Sequence, residues 1–386
     1  MYLKFLVFLT ATAVGSTSAA NLVCYFTSWT VYRPGNGNYT VQNLPADLCT
    51  HVNYGFVGLQ EWDGSLVILD DDEADRRQEL EHLKQKRDEN PSLKLIVSMG
   101  GWNEGSEKYS HVAADPNLRQ NLIQSVLDFL DKYEFDGFDL DWEYPAQRGG
   151  QPEDVDNFIV LLQELKAALT PKNYLLTVAV SGGIASANTS YDIVRLSETV
   201  DMIDVMAFDY HGAFDNYVGH YAPLNASHLD VTDLQKELNV FRGITYWIES
   251  GAPPSKLNLG MGTYGRGFTL ADPSNTSLYA PTVGDGNRQA PYTRTDGNVG
   301  YNEVCELYLA TYQYYWDDEQ QVPHIVNGDQ WIGYDDMRSI ELKARLAKSL
   351  GLAGAMIWSL DTDDFHGICG NGPYPLINTV KRVLNE

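Results

Sequence analysis

Phe135-Asp-Gly-Phe-Asp-Leu-Asp-Trp-Glu-Tyr-Pro145 sets an acid at every second position between large apolar residues. Side chains on a β-strand alternate between its two faces, so Asp139, Asp141 and Glu143 share one face while Phe138, Leu140 and Trp142 share the other. A solvated sheet edge with scattered acids would not need the apolar interleaving. In a barrel the apolar face packs outward on helices, and the three acids are then directed inward and upward. Carboxylates in steps of ~7 Å cannot all ionise freely in a partly desolvated interior. At least one pKa must rise, which suits a site that holds a carboxylic acid protonated near neutral pH. Glu143, last in the row, falls where barrel enzymes do their chemistry and reads as the general acid. Asp141 lies close enough to share its proton, and Asp139, deeper still, can hold charge that pushes that proton upward.

The surrounding chain supplies the barrel. Apolar, β-branched runs at 22–26, 51–57, 94–99, 135–142, 175–180, 202–208, 257–263 and 354–360 read as strands. Helical patterns separate several of them. Asp115-Pro116 is an N-cap with proline at the first helical position, followed by Leu118, Leu122, Ile123, Val126, Leu127 and Leu130 at helical spacing. A second stripe runs through Phe158, Leu161, Leu162, Leu165 and Leu169, and a third from Met337 to Leu350, stopped by Gly351. These stripes read as core, not as cofactor boxes, and no cofactor is expected. Eight strands alternating with helices predict an α/β fold, a (β/α)8 TIM barrel. Residues 267–334, rich in Gly, Pro, Tyr and Asn, are too many for a structureless loop and are expected to form a small α+β insertion between strands 7 and 8, walling one side of the cleft. The barrel and its insertion, 21–386, are then expected to do all the binding.

Residues 1–20 read as a signal peptide: Lys4, an apolar run from Phe5 to Val14, then small residues to Ala20. Export to an extracellular, secreted location fits an even cysteine count. Cys24, Cys49, Cys305 and Cys369 permit three pairings, of which sequence proximity favours Cys24–Cys49 and Cys305–Cys369. No C-x-x-C pair exists, the histidines show no ligand spacing, and the acidic run Asp70–Glu73 lacks the glycine and spacing of a calcium loop, so no metal is expected. Asn38, Asn188, Asn225 and Asn275 begin N-glycosylation sequons. Acids outnumber bases 52 to 27, which argues against nucleic acid or an anionic membrane as partner and fits a neutral substrate. Monomer is the default.

The row Asp136-x-x-Asp139-x-Asp141-x-Glu143 resembles the catalytic signature of the family-18 glycoside hydrolases, the chitinases and chitinase-like proteins. The resemblance runs from Cys24-Tyr25-Phe26-Thr-Ser-Trp29 to Trp358-Ser-Leu-Asp-Thr-Asp-Asp-Phe365, and so covers essentially the whole chain after the leader. Ser98-Met-Gly-Gly101 with Trp102 looks like the family's third-strand motif, Met206-Ala-Phe208-Asp209 its sixth, and Tyr264-Gly-Arg266 its seventh. The resemblance implies the same disulfide pairing and a secreted endo-chitinase acting on chitin or chito-oligosaccharides. It also implies substrate-assisted retention: Glu143 protonates the glycosidic oxygen, and the sugar's own N-acetyl carbonyl attacks to give an oxazolinium ion. Asp141 orients the acetamido group, Asp139 takes up the proton balance with Tyr25 and Ser98, and Trp358 is the floor. Trp29, Phe56, Trp102 and Tyr264 line neighbouring subsites, while Asp209 and Arg266 hydrogen-bond sugar substituents.

One position departs from the family pattern. Where Phe208 stands the motif usually carries tyrosine, whose hydroxyl holds the acetamido oxygen. Tyr210, two residues on, has the same strand parity and is a candidate substitute. The alternative to an enzyme is a chitinase-like lectin or signalling protein with little turnover; such relatives generally lack the acid at the position of Glu143, which this chain keeps.

Overall fold

The computed structural model describes residues 20–69 and 73–386. The expected leader, apart from Ala20, and most of the acidic run at 70–73 lie outside the described residues. Eight parallel strands form the centre: β1 Asn21–Thr27, β2 His51–Leu59, β3 Lys94–Gly100, β4 Gly137–Asp141, β5 Leu175–Ser181, β6 Met202–Met206, β7 Leu257–Gly262 and β8 Gly354–Trp358. Each pairs with the next, and β1 pairs with both β2 and β8, which closes the barrel. The strands share an apolar, β-branched composition because both faces are covered, by helices outside and by one another's side chains within.

The helices form where the patterns place them. Asp115 accepts from the amides of Asn117 (2.7 Å) and Leu118 (3.2 Å) at the start of the helix Pro116–Tyr133. A cap of this kind contributes about 1 kcal/mol. That helix buries Leu122, Ile123, Val126 and Leu130 against the outside of the barrel, and Asp154–Leu169 buries Phe158, Leu161, Leu162, Leu165 and Leu169. Met337–Ser349 ends just before Gly351, which takes the left-handed conformation (φ +66°) that closes a helix C-terminus.

Between β7 and β8 the chain builds a second, antiparallel sheet with its own core of Val218, Phe268, Leu270, Ala280, Val326 and Trp331. Its strands run Tyr264–Leu270, Thr282–Val283, Asn298–Gly300, Gln313–Asp317, Val322–Asn327 and Gln330–Tyr334. Tyr264 and Arg266 therefore belong to the first strand of this sheet and not to β7. The chain changes sheet at Thr263, whose amide donates to Trp358 O (3.0 Å) and whose hydroxyl donates to Ser359 O (2.6 Å), pinning the bend to the end of β8.

Disulfides join Cys24 to Cys49 and Cys305 to Cys369. Loop-closure entropy gives cross-links over 25 and 64 residues a contribution on the order of 3–4 kcal/mol each. Asn38, Asn188, Asn225 and Asn275 are exposed. Among the described residues no helix is long and apolar enough to cross a membrane.

Candidate active site

The alternation along β4 places its side chains as parity requires. Phe138, Leu140 and Trp142 are buried in the layer between barrel and helices, where the Trp142 ring packs on Tyr109 and Phe158 and its indole N–H donates to Ser106 Oγ (2.9 Å). Asp139 turns inward and is fully buried. It accepts from the hydroxyls of Tyr25 (2.8 Å), Ser98 (2.7 Å) and Thr177 (2.7 Å). Ser98, Asp139 and Thr177 are register neighbours on β3, β4 and β5, so the sheet itself brings them into line.

Burial raises the pKa of Asp139 while the three hydroxyls oppose the shift. Asp141 is pushed well above the usual carboxylate range, first by burial and then by the negative charges of Glu143, Asp139 and Asp204. Its Oδ1 is buried without a hydrogen-bond partner among the described residues. Glu143 lies two residues beyond β4 at the C-terminal mouth, with 9% of its surface exposed. Burial raises it to about 7, against the lowering effects of a hydrogen bond from Tyr144 and of the Arg148 charge.

Asp136 is not part of that cluster. It sits at the opposite end of the strand, where Oδ1 accepts from Lys94 Nζ (2.9 Å) and Oδ2 from the amide of Leu95 (3.0 Å). Its offset of three from Asp139 puts it on the other parity, so the structure assigns it to fastening β3 and β4 at the barrel base and not to the chemistry.

Aromatic rings line the mouth. Trp358, at the end of β8, packs on Tyr25 (5.2 Å between ring centres), Phe56 (5.8 Å) and Trp29 (6.2 Å). Gly101 (φ +86°) lies under this group: a β-carbon there would stand 2.6 Å from the Phe56 ring, so the backbone approach requires glycine. Beyond the end of β6 Asp209, itself left-handed (φ +57°), accepts from Tyr264 Oη (2.7 Å) and holds Arg266 through two bonds of 2.8 Å. A cleft of about 330 Å³ is lined by Trp29, Tyr32, Tyr264 and Trp358, together with Tyr292 and Arg294 of the inserted segment. Trp102, at the end of β3, is 59% exposed.

Met206 and Phe208 pack beside Tyr25, Phe56 and Trp358, so the Phe208 ring reaches the site. Tyr210 does not. β6 ends at Met206, and the left-handed turn at Asp209 breaks the parity that would have carried Tyr210 inward. Its hydroxyl is buried and donates to Gly182 O (3.3 Å). It therefore cannot replace the hydroxyl that Phe208 lacks.

Three residues of the site went unread in the sequence. Asp204 on β6 is fully buried, accepts from Asn258 Nδ2 (2.8 Å) and keeps an unpartnered Oδ2. Burial, then the charge of Asp139, raises its pKa. Its signal was a lone acid in the apolar run Met202–Met206. Arg148 donates to the carbonyls of both Glu143 and Trp102 (2.9 Å each) and lays its guanidinium 3.5 Å over the Trp102 ring. Phe214 is 71% exposed on the loop after β6.

The sequence profile of the Glycosyl hydrolases family 18 matches residues 21–363. An Endochitinase of Manduca sexta is 39% identical over 97% of this chain and 69% of its own length. The structure of an Ostrinia furnacalis Group IV chitinase in complex with allosamidin superposes with a TM-score of 0.92 at 40% identity, covering 95% of this chain and 99% of that one. Human YKL-39, described as a pseudo-chitinase with retained chitooligosaccharide binding properties, superposes at 0.89 with 35% identity over 95% of this chain and all of its own. Buried acid row, aromatic cleft and these likenesses converge: the chain belongs to glycosyl hydrolase family 18.

Proposed function

We propose that the chain is a secreted endo-chitinase that hydrolyses β-1,4 bonds between N-acetylglucosamine units with Glu143 as proton donor. The observation that supports this reading is the row of buried carboxyls Asp139, Asp141 and Glu143, the last lifted to about 7 by burial, on a barrel whose strand ends carry the cluster of Tyr25, Phe56, Phe208 and Trp358. Protonated near neutrality, Glu143 donates to the glycosidic oxygen as the bond to the leaving sugar breaks. The carbonyl oxygen of the 2-acetamido group closes on the anomeric carbon from the other side, and the resulting oxazolinium ion carries the positive charge. Asp141, with an unpartnered oxygen, accepts the acetamido N–H, and Asp139, held by three hydroxyls, offsets the change in its charge. Glu143, now ionised, takes a proton from the water that opens the ring. An internal nucleophile so placed is worth ~7–11 kcal/mol of the barrel's task, which is why no enzyme nucleophile is needed. Trp358, Trp29, Phe56 and Tyr264 on one side, and Trp102 and Phe214 on the other, stack on the apolar faces of neighbouring sugars, while Asp209 and Arg266 bind their polar edges.

The same reading takes residues 1–20 as a cleaved leader, the exposed sequons as glycan sites, 21–386 as the working unit with its insertion at 267–334, and a monomer as the active form. Phe208 favours a second reading, a carbohydrate-binding protein with little turnover. A fluorogenic chito-oligosaccharide offered to the parent and to Glu143→Gln separates them. Hydrolysis by the parent alone supports the enzyme, whereas binding by both without cleavage supports the lectin.

A further inference from the structure

Beyond β2 the chain turns back as an antiparallel hairpin onto Leu66–Ile68, with Glu61 to Gly64 at its tip. Trp62, at that tip, is 75% exposed and is the most exposed large apolar side chain among the described residues. The turn beneath it is fixed on several sides. Gln60 N donates to Ser65 O (2.8 Å), Ser65 Oγ to Asp63 Oδ1 (2.7 Å), Asn121 Nδ2 to Asp63 O (2.9 Å), and Leu66 N to Ser125 Oγ (2.9 Å). Gly64 (φ +76°) lies against the Leu118 carbonyl, where a β-carbon would stand 2.5 Å from its oxygen. An indole left in water on a mobile loop is unremarkable; one presented on a backbone this tightly held has lost the ordering cost of binding in advance.

The hairpin is also tied to the cleft. Glu104 Oε2 accepts from Leu59 N (3.1 Å) and from Tyr109 Oη (3.2 Å), and Glu104 closes the short turn that begins at Trp102. Trp62 follows Leu59 by three residues, which at ~3.3–3.6 Å per residue keeps it within ~11 Å of that anchor. Both tryptophans thus stand at the C-terminal mouth, on adjacent strand ends, joined by one hydrogen-bonded link.

We propose that Trp62 is an outlying sugar platform, a site for the stretch of an N-acetylglucosamine polymer that has run out of the cleft past Trp102. The proposal rests on the carbohydrate reading above and extends it to polymer. A ring with polar neighbours Glu61 and Asp63 suits the apolar C–H face of a neutral, hydroxyl-rimmed sugar. The occupant is the polymer and not a separate partner, because Trp62 and Trp102 follow neighbouring strands and are tied together through Glu104. Short substrates end before it; long or insoluble chains reach it.

Its test compares the full parent chain, Trp62→Ala and Trp62→Tyr in adsorption to insoluble chitin and in kcat/KM on soluble tetra-N-acetylchitotetraose. Trp62→Ala is expected to lower adsorption about two- to thirteenfold, the range set by ~0.5–1.5 kcal/mol for one aromatic stack, and to leave the tetrasaccharide rate and the Tm within error. Trp62→Tyr, which keeps a ring, should retain most of the adsorption. Unchanged adsorption by Trp62→Ala overturns the platform, as does an equal loss on both substrates. A parent that binds neither chitin nor the tetrasaccharide overturns the carbohydrate reading itself, and is told apart because the failure appears before any substitution.

Discussion

Restoring a hydroxyl at position 208 should raise turnover. The Phe208 ring meets Tyr264 edge to face at 6.1 Å between centres and packs against the cluster of Tyr25, Phe56 and Trp358, so a tyrosine there keeps the ring and adds one O–H donor inside the site. Two neighbouring hydroxyls are already taken: Tyr264 is spent on Asp209 and Tyr210 on Gly182 O. A neutral hydrogen bond that holds the acetamido oxygen in line for attack is worth about 0.5–1.5 kcal/mol. At about 1.36 kcal/mol per decade, that is roughly a two- to thirteenfold gain in kcat. The assay is steady-state hydrolysis of a fluorogenic chitobioside by the parent, Phe208→Tyr and Tyr210→Phe. The gain should fall mainly in kcat, because the bond aligns the sugar's own nucleophile within the bound complex. Tyr210→Phe should stay within about twofold of the parent, since its weak bond lies outside the site. An unchanged or lower kcat in a Phe208→Tyr protein of normal Tm refutes the reasoning, and so does a large loss in Tyr210→Phe.

Arg148→Ala removes a positive charge that opposes the burial-driven rise of Glu143, so the alkaline limb of kcat/KM should move to higher pH; Arg148→Lys should restore the limb but not the stacking over Trp102, leaving KM raised. Asp204→Asn keeps an acceptor for Asn258 but deletes one of the charges that raise Asp141, and should move the acidic limb of kcat/KM to lower pH. Glu143 also predicts a stability trend. Its pKa is about 7 folded and ~4.3 unfolded, so the folded chain binds more protons between those values and stability falls as pH rises through that window. Thermal melts of Glu143→Gln should show a smaller fall between pH 4.5 and 7.5, with a remainder from Asp363, which burial also lifts to about 7; an unchanged slope would count against the raised pKa.

The acid row was legible because a strand's period of two is a geometric fact that survives whatever surrounds it. Asp139, Asp141 and Glu143 needed only that rule. Asp136 was misplaced because the family pattern was followed where parity already spoke against it. Tyr210 was misplaced for the opposite reason: parity was extended past the end of β6, and nothing local announced the left-handed turn at Asp209. Asp204 had the parity of Met206 and Phe208, yet one acid in an apolar run carries little signal; its meaning comes from Asn258 and Asp139, which the register of neighbouring strands supplies. Arg148 lay beyond reach, since its contact with Trp102 joins loops 46 residues apart. The barrel itself followed from apolar runs and helix stripes, whereas the transfer of Tyr264 and Arg266 to the inserted sheet depends on a bend at Thr263 held by β8.

In the proposed mechanism a buried carboxyl keeps its proton near neutrality and gives it to the departing sugar. The pH profile of kcat/KM on a soluble chito-oligosaccharide addresses it most directly, measured on the parent and on Glu143→Gln. The profile should fall above about pH 7 in the parent, and the variant should bind the sugar without cleaving it at any pH. A rate that stays level from pH 5 to 9, or a Glu143→Gln protein as active as the parent, would contradict it.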